Sequence, residues 1–177
     1  MGFWATRGLR GSTLEDLINL TNEYYMKKNL AVIQKISTPI KPVRIDRESR
    51  TITLAYFDKK STIDYVGIVQ GVPVCFDAKE TKLKSLPIHH THPHQIEFMQ
   101  KFEEQNGVSF LLVNFSKEGR YFFLPFSVLS RYYEDSKNNG RKSIPLSAFK
   151  YEIFPQGAAH IHYLKVLKAY LEGETTT

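Results

Sequence analysis

Two apolar runs separated by two residues constrain this chain more than any other feature. Residues 62–69 and 72–79 flank Gln70-Gly71. A two-residue link ending in glycine suits the tight turn between antiparallel strands, because glycine accepts the positive φ such turns need. The spacing therefore predicts a β-hairpin. Its second strand runs through Val72, Pro73, Val74, Cys75 and Phe76, then turns polar at Asp77. A charge thus sits where a buried strand ends. Period-two geometry puts Asp77 and Lys79 on one face and Ala78 on the other. The turn brings Asp64, on the first strand, back beside them.

Two carboxylates converging with a lysine alongside form a hard-oxygen cation site. Mg²⁺ takes one or two carboxylates and keeps several waters. Such a cation polarises a phosphoryl oxygen, and a lysine can offset charge on a pentavalent transition state. These are the parts for phosphodiester hydrolysis. An Asp-x-Lys triplet also arises by chance in many chains. Glu15 offers a third carboxylate on the first helix, where it could reach the same cation. It could equally serve only to complement that helix's dipole.

The rest of the chain alternates between the two periodicities. A helix is expected over 13–28, capped by Ser12 or Thr13, with Leu14, Leu17, Ile18, Thr21 and Tyr25 on one stripe. A short buried strand follows over 30–36. Residues 37–60 hold Pro39, Pro42 and a turn-like Glu48-Ser49-Arg50, and read as a hairpin leaving the core and returning. After the central hairpin, 81–94 reads as a polar loop and 94–106 as a helix. Strands at 108–115 and 121–124 follow, then a helix opened by Pro125 and running to about 135. A basic turn over 136–143 and a last helix over about 160–171 complete the order. The prediction is a single domain over 1–177. Its fold class is α/β, with a mixed central sheet, helices on both faces and a stalk-like hairpin at about 37–60.

Composition narrows the function. The 177 residues carry 24 Lys and Arg against 18 Asp and Glu, a net charge of +6. Residues 35–60 hold seven bases and three acids, so four of the six surplus charges fall on this stretch, which is mostly the projecting hairpin. Anionic partners, nucleic acid first, are the implied class. The single cysteine, Cys75, excludes a disulfide scaffold and reads as an inert core residue. No stretch approaches the ~20 apolar residues of a membrane span. The first residues lack the apolar run of a secretory signal. A cytoplasmic protein with no membrane partner is expected.

These residues lie in a longer pattern. Asp64 with Asp77-Ala78-Lys79 resembles the PD-(D/E)xK nuclease motif. More closely, the chain resembles the RecU family of Holliday-junction resolvases, through the segments RGLRGSTLE (7–15), AVIQKISTPI (31–40), AYFDKKSTIDYVGIVQG (55–71), FDAKETK (76–82), HPHQIEFM (92–99) and NGRKSI (139–144). The resemblance implies a restriction-endonuclease-like sheet and a homodimeric, Mg²⁺-dependent endonuclease, with Mn²⁺ as a possible substitute. It would nick two opposing strands of four-way junction DNA symmetrically, in recombination and repair. A recombinase or branch-migration complex is a further partner class. By the same resemblance Asp64 and Asp77 are metal ligands and Lys79 is the catalytic lysine. Thr62 lines the metal site, Glu15 completes the acidic cluster, and Gln95 faces the site from the following helix. The family's usual carboxylate before Ala-Lys is glutamate, so Asp77 has an arm one methylene shorter. The hairpin at 37–60 matches a stalk that projects between two subunits.

Candidate DNA contacts follow from charge and the match. Lys41, Arg44, Arg47 and Arg50 lie on the stalk. Lys82 follows the active strand, and Arg141 and Lys142 form a basic turn. Arg7 and Arg10 flank glycines, where backbone can approach a phosphate. His89, His90, His92 and His94 do not match a common zinc spacing and read as a solvated or DNA-facing loop. Phe110, Phe115, Phe122, Phe123 and Phe126 read as core rather than as stacking platforms. Two other functions remain open on sequence. One is a restriction-like or nicking nuclease acting on duplex DNA. The other is a non-catalytic DNA-binding recombination accessory.

Overall fold

The computed structural model describes residues 13–58, 62–155 and 161–174. Arg7, Arg10 and the Ser12 cap therefore lie outside the described residues, as do Lys59 and Lys60 of the stalk charge. The first helix, α1 (Leu14–Lys27), is capped at Thr13. Thr13 Oγ1 accepts from the Asp16 amide at 3.3 Å, and Asp16 Oδ2 accepts from the Thr13 amide at 3.1 Å. This reciprocal capping box satisfies two amides that the first turn leaves unpaired.

A six-stranded sheet forms the centre, in the order β1-β4-β5-β7-β8-β10. The strands are β1 (Val32–Lys35), β4 (Tyr65–Val69), β5 (Val72–Thr81), β7 (Val108–Phe115), β8 (Arg120–Pro125) and β10 (Tyr151–Ile153). β5 and β7 run parallel and the other neighbours antiparallel, so the sheet is mixed, as expected. The helix α2 (Pro93–Glu104) makes the crossover between the two parallel strands. The β4–β5 turn has positive φ at both Gln70 (46°) and Gly71 (91°), the two-residue turn that the sequence indicates. Gly67 is required where β1 meets β4, because a Cβ there would lie 2.1 Å from the Val32 carbonyl oxygen.

Helices cover both faces. On one face, α1 and α4 (Tyr163–Leu171) pack over Tyr65, Phe76, Phe110 and Phe123. These four rings form a ladder across neighbouring strands, with centroid separations of 4.8, 4.7 and 4.4 Å. Each such pair is worth about 0.5–1.5 kcal/mol beyond its buried area. On the other face, α2 and α3 (Phe126–Lys137) cover Cys75, Leu111, Val113, Phe122 and Leu124. The five phenylalanines read as core are all buried.

The stalk is a separate ribbon of β2 (Ile40–Asp46) and β3 (Thr51–Phe57). Every residue of both strands is exposed. Its tip is a turn closed by Asp46, whose carboxylate accepts from the Glu48 amide at 2.9 Å and the Ser49 hydroxyl at 2.7 Å.

Five expectations need correction. Asp64 precedes β4 rather than lying on it. Residues 81–94 are not simply a loop, because β6 (Ser85–Pro87) pairs there with β9 (Ser143–Pro145), and a 3-10 turn, Ile88–His90, follows. The basic turn over 136–143 is shorter, since α3 runs to Lys137. The last helix begins at Tyr163, and β10 was not foreseen. β6, β9 and β10 are three residues each, too short to show a period. Among the described residues, no helix is long and apolar enough to cross a membrane.

Candidate active site

The site is built by strand alternation. Phe76 and Ala78 point to the α1/α4 face, so Cys75, Asp77 and Lys79 point to the α2 face. Asp77 is fully buried there. A buried carboxylate is costly unless charged or hydrogen-bonded groups surround it, and Asp77 is fully surrounded. Lys79 Nζ lies 2.5 Å from its Oδ2. Gln95 Nε2 donates to the same oxygen at 2.6 Å. The Asp64 amide donates to Oδ1 at 2.8 Å.

Asp64 and Asp77 interlock. While Asp77 accepts from the Asp64 amide, Asp64 Oδ2 accepts from the Ala78 amide at 3.2 Å. Each carboxylate is thus pinned to the backbone beside the other. Burial first, and then the adjacent Asp77 charge, push the Asp64 carboxyl up to about 6. Two negative groups held together and partly desolvated account for the direction.

Gln95 has two tasks, because its Oε1 also accepts from the His92 amide at 3.0 Å. His92 is the N-cap of α2. The amide therefore ties the start of α2 to Asp77. The same segment carries His90, whose imidazole lies below the usual range through burial, His89 and the Lys79 charge. Sequence reasoning grouped the four histidines as a loop and missed that one lies within the field of Lys79. The spacing holds no signal of it, since the 3-10 turn that places His90 is set by the β6–β9 pairing.

The remaining candidates divide. Glu15 is half-exposed, and its carboxylate meets Lys35 Nζ at 2.5 Å. It still acts on the site's surroundings. Burial, then Glu15, Asp64, Asp16 and Asp77, hold the Tyr65 hydroxyl above its usual range. Among the described residues, no three His, Cys, Asp or Glu side chains are grouped to hold one ion. Thr62 is exposed, two residues before Asp64. On the stalk, Arg44, Arg47 and Arg50 are exposed, while Lys41 pairs with Asp58 at 2.6 Å. Lys82 and Arg141 are exposed. The Lys142 ammonium donates to the Ser136 carbonyl near the end of α3, so it has a structural partner. Cys75 is buried, 3.3 Å from the Ser109 hydroxyl, and burial pushes its thiol up to about 12. That environment makes it unreactive.

The donor set fits a hard divalent cation. Two carboxylates converge with no thiolate between them. Asp64 also carries the repulsion that a cation would relieve.

The family model for recombination protein U, RecU, matches residues 9–169. A Holliday junction resolvase RecU of Streptococcus pneumoniae (strain Taiwan19F-14) is 42% identical over 174 residues, covering 94% of this chain and 87% of that protein. The protein of the same name from S. pneumoniae serotype 19F (strain G54) is 41% identical over the same span. Among solved structures, Hjc, a Holliday junction resolvase of Archaeoglobus fulgidus, aligns with a TM-score of 0.46 and 12% identity. That alignment covers 79% of this chain and 93% of Hjc. With a family model spanning most of its length and relatives above 40% identity, this chain belongs to the RecU family.

Proposed function

We infer that the protein is an endonuclease that resolves Holliday junctions, nicking DNA strands at a four-way branch during recombination and repair. Its relatives bear that name. The observation that carries the reading is the buried Asp77, interlocked with Asp64 and paired to Lys79 at 2.5 Å. A fully buried carboxylate paired with a lysine inside a strand is expensive to keep as a stability device. Phosphodiester hydrolysis gives it a use.

Asp64 and Asp77 are the groups proposed to hold a divalent cation, Mg²⁺ by preference and Mn²⁺ as substitute, with Thr62 at the edge of the site. Held there, the cation supplies Lewis-acid polarisation of a phosphoryl oxygen. The chain's own groups do the rest. Lys79, 15% exposed and charged, offsets negative charge growing on the phosphorane. Gln95 fixes the orientation of Asp77 by bonding both it and the His92 amide. Glu15 adds negative field from α1. The exposed stalk, with Arg44, Arg47 and Arg50, supports a place at the branch point. Lys82 and Arg141 are proposed phosphate contacts.

Each chain carries one such site, and a junction is resolved by two symmetric nicks. A homodimer acting in the cytoplasm is therefore proposed. A recombinase or branch-migration complex as further partner is supported by the family alone.

A cleavage panel tests this reading. Four-way junction, fork and linear duplex are incubated with Mg²⁺ or Mn²⁺. The wild type should nick the junction fastest and symmetrically. Asp77→Asn and Lys79→Ala should lower nicking roughly 10²-fold or more while junction binding persists. Nicking by those variants at the wild-type rate overturns the site. Equal cleavage of duplex and junction overturns the function.

A further inference from the structure

The edge of the sheet opposite the stalk carries a second cationic feature. A cavity of about 400 Å³ lies between α3, the 3-10 turn Leu146–Ala148 and β10. Tyr132 and Tyr151 line it, with the Ser147 backbone turn, and Arg131 and Lys150 stand at its rim. Both cations are exposed. Neither meets a carboxylate within ion-pair distance among the described residues. The neighbouring acid Glu134 is taken by Lys137 at 2.9 Å, and Glu152 by Arg120 at 2.5 Å. The Arg131 guanidinium instead lies over the Tyr132 ring, 5.4 Å from its centroid. Two cations outside any ion pair among the described residues, over a tyrosine-lined hollow, match the chemistry of a nucleic-acid strand, which offers phosphates to the charges and sugar or base faces to the rings.

Its position relative to the site supports that ligand. Ala78, between Asp77 and Lys79, aligns with Leu112, which aligns with Phe123, which aligns with Tyr151. Three strand spacings, about 14 Å, separate Ala78 from Tyr151, on the α1/α4 side of the sheet opposite Asp77. A backbone contact links the segment after β5 to the turn at the hollow. β5 runs into Lys82 and Lys84, both exposed, and the Lys84 carbonyl accepts from the Leu146 amide at 3.1 Å. Leu146 opens the turn that leads to Ser147 and Lys150. Phe149 anchors this turn against Phe115 and Phe122, with centroids 5.0 and 5.4 Å apart, on the same sheet face as Asp77. The hollow straddles the sheet edge, with Tyr132 and Ala148 packed on the Asp77 face and Tyr151 on the α1/α4 face, so a strand passing Lys82 and Lys84 meets it at the edge.

We propose that the hollow lined by Arg131, Tyr132, Ser147, Lys150 and Tyr151 is a DNA-backbone subsite. It holds the phosphates a few nucleotides from the scissile one. The inference rests on the nuclease reading of the Asp64–Asp77–Lys79 site, and deepens it by saying where an arm of the substrate runs.

The test uses the full-length protein and a four-way junction. Its affinity is measured against salt for the wild type, for Arg131→Gln/Lys150→Gln, and for the charge-retaining Arg131→Lys/Lys150→Arg. Each neutralised phosphate contributes about 0.9 to the slope of log affinity against log salt. The Gln pair should lower that slope by about two, and the charge-retaining pair should restore it. Uncharged methylphosphonate linkages are then stepped outward from the nick. One or two positions should weaken wild-type binding and leave the Gln pair unaffected. A wild-type slope in the Gln pair overturns the subsite. So does a cost at every position that is equal for both proteins, even while the wild type still nicks the junction. A wild type that neither binds nor nicks a junction overturns the function as well.

Discussion

At the scale of single residues, the site is a charge problem solved by neighbours. Asp77 has none of its surface exposed, yet three donors reach its two oxygens. Asp64 has less support, and its carboxyl is pushed up to about 6. The sign has a consequence for stability. Between the ordinary carboxylate value and about 6 the folded chain binds more protons than the unfolded one, so stability falls as pH rises through that window. The metal-free protein should thus melt lower at pH 7 than at pH 5 by this group's contribution. Asp64→Asn should remove that dependence and stabilise the metal-free protein at pH 7 by on the order of 1 kcal/mol, after discount for partial exposure. Melting curves at the two pH values, with and without Mg²⁺, check it. A variant as pH-sensitive as the wild type would show that Asp64 is not the strained group. Much of this site is legible in sequence, because alternation alone puts Asp77 and Lys79 on one face. The pairing of Glu15 with Lys35 was not, since 20 residues separate them and only the packing of α1 against β1 brings them together.

At the scale of elements, the stalk and the central hairpin make a contrast. The β4–β5 hairpin is buried on both faces near Asp77, and its apolar runs announce it. The β2–β3 ribbon has no buried residue in either strand, including Ile45, Ile52 and Leu54. A lone two-stranded ribbon is marginal in water. Its tip is therefore held locally, by Asp46 bonding Glu48 and Ser49, and those hydrogen bonds lower the Asp46 carboxyl. Removing residues 47–50 and closing the turn should leave the sheet intact. It should weaken four-way-junction binding several-fold more than duplex binding, measured by gel shift. Equal losses on the two would remove the stalk from branch recognition. Element order and type were legible for the long elements. The β6–β9 pair was not, although it sets the 3-10 turn that carries His90.

At the scale of the whole molecule, two cores lie on opposite faces of one sheet, and the described residues hold one candidate site. The C-terminal helix is tied back to α1 across the chain. The Thr21 hydroxyl accepts from the Ile161 amide at 3.1 Å, and the Tyr163 hydroxyl donates to Asn22. With one candidate site among the described residues, the proposed pair of nicks is a task for two chains. Mixing wild type with excess Asp77→Asn should give dimers that nick only one strand of a junction, so that singly nicked product accumulates on a plasmid-borne junction. Undiminished paired nicking would overturn the dimer. The sequence by itself determined the central hairpin, the facing of Asp77 and Lys79, the helices around the sheet and the exposed basic stalk. Each follows from a period or a local turn, which neighbouring residues encode. Only the tertiary structure decided that Asp64 and Asp77 hold each other through backbone amides and that Gln95 links α2 to Asp77. It alone bonded Lys142 to the Ser136 carbonyl of α3 and left Arg131 and Lys150 outside any ion pair among the described residues. Those are distances between elements far apart in the chain, and no local pattern carries them.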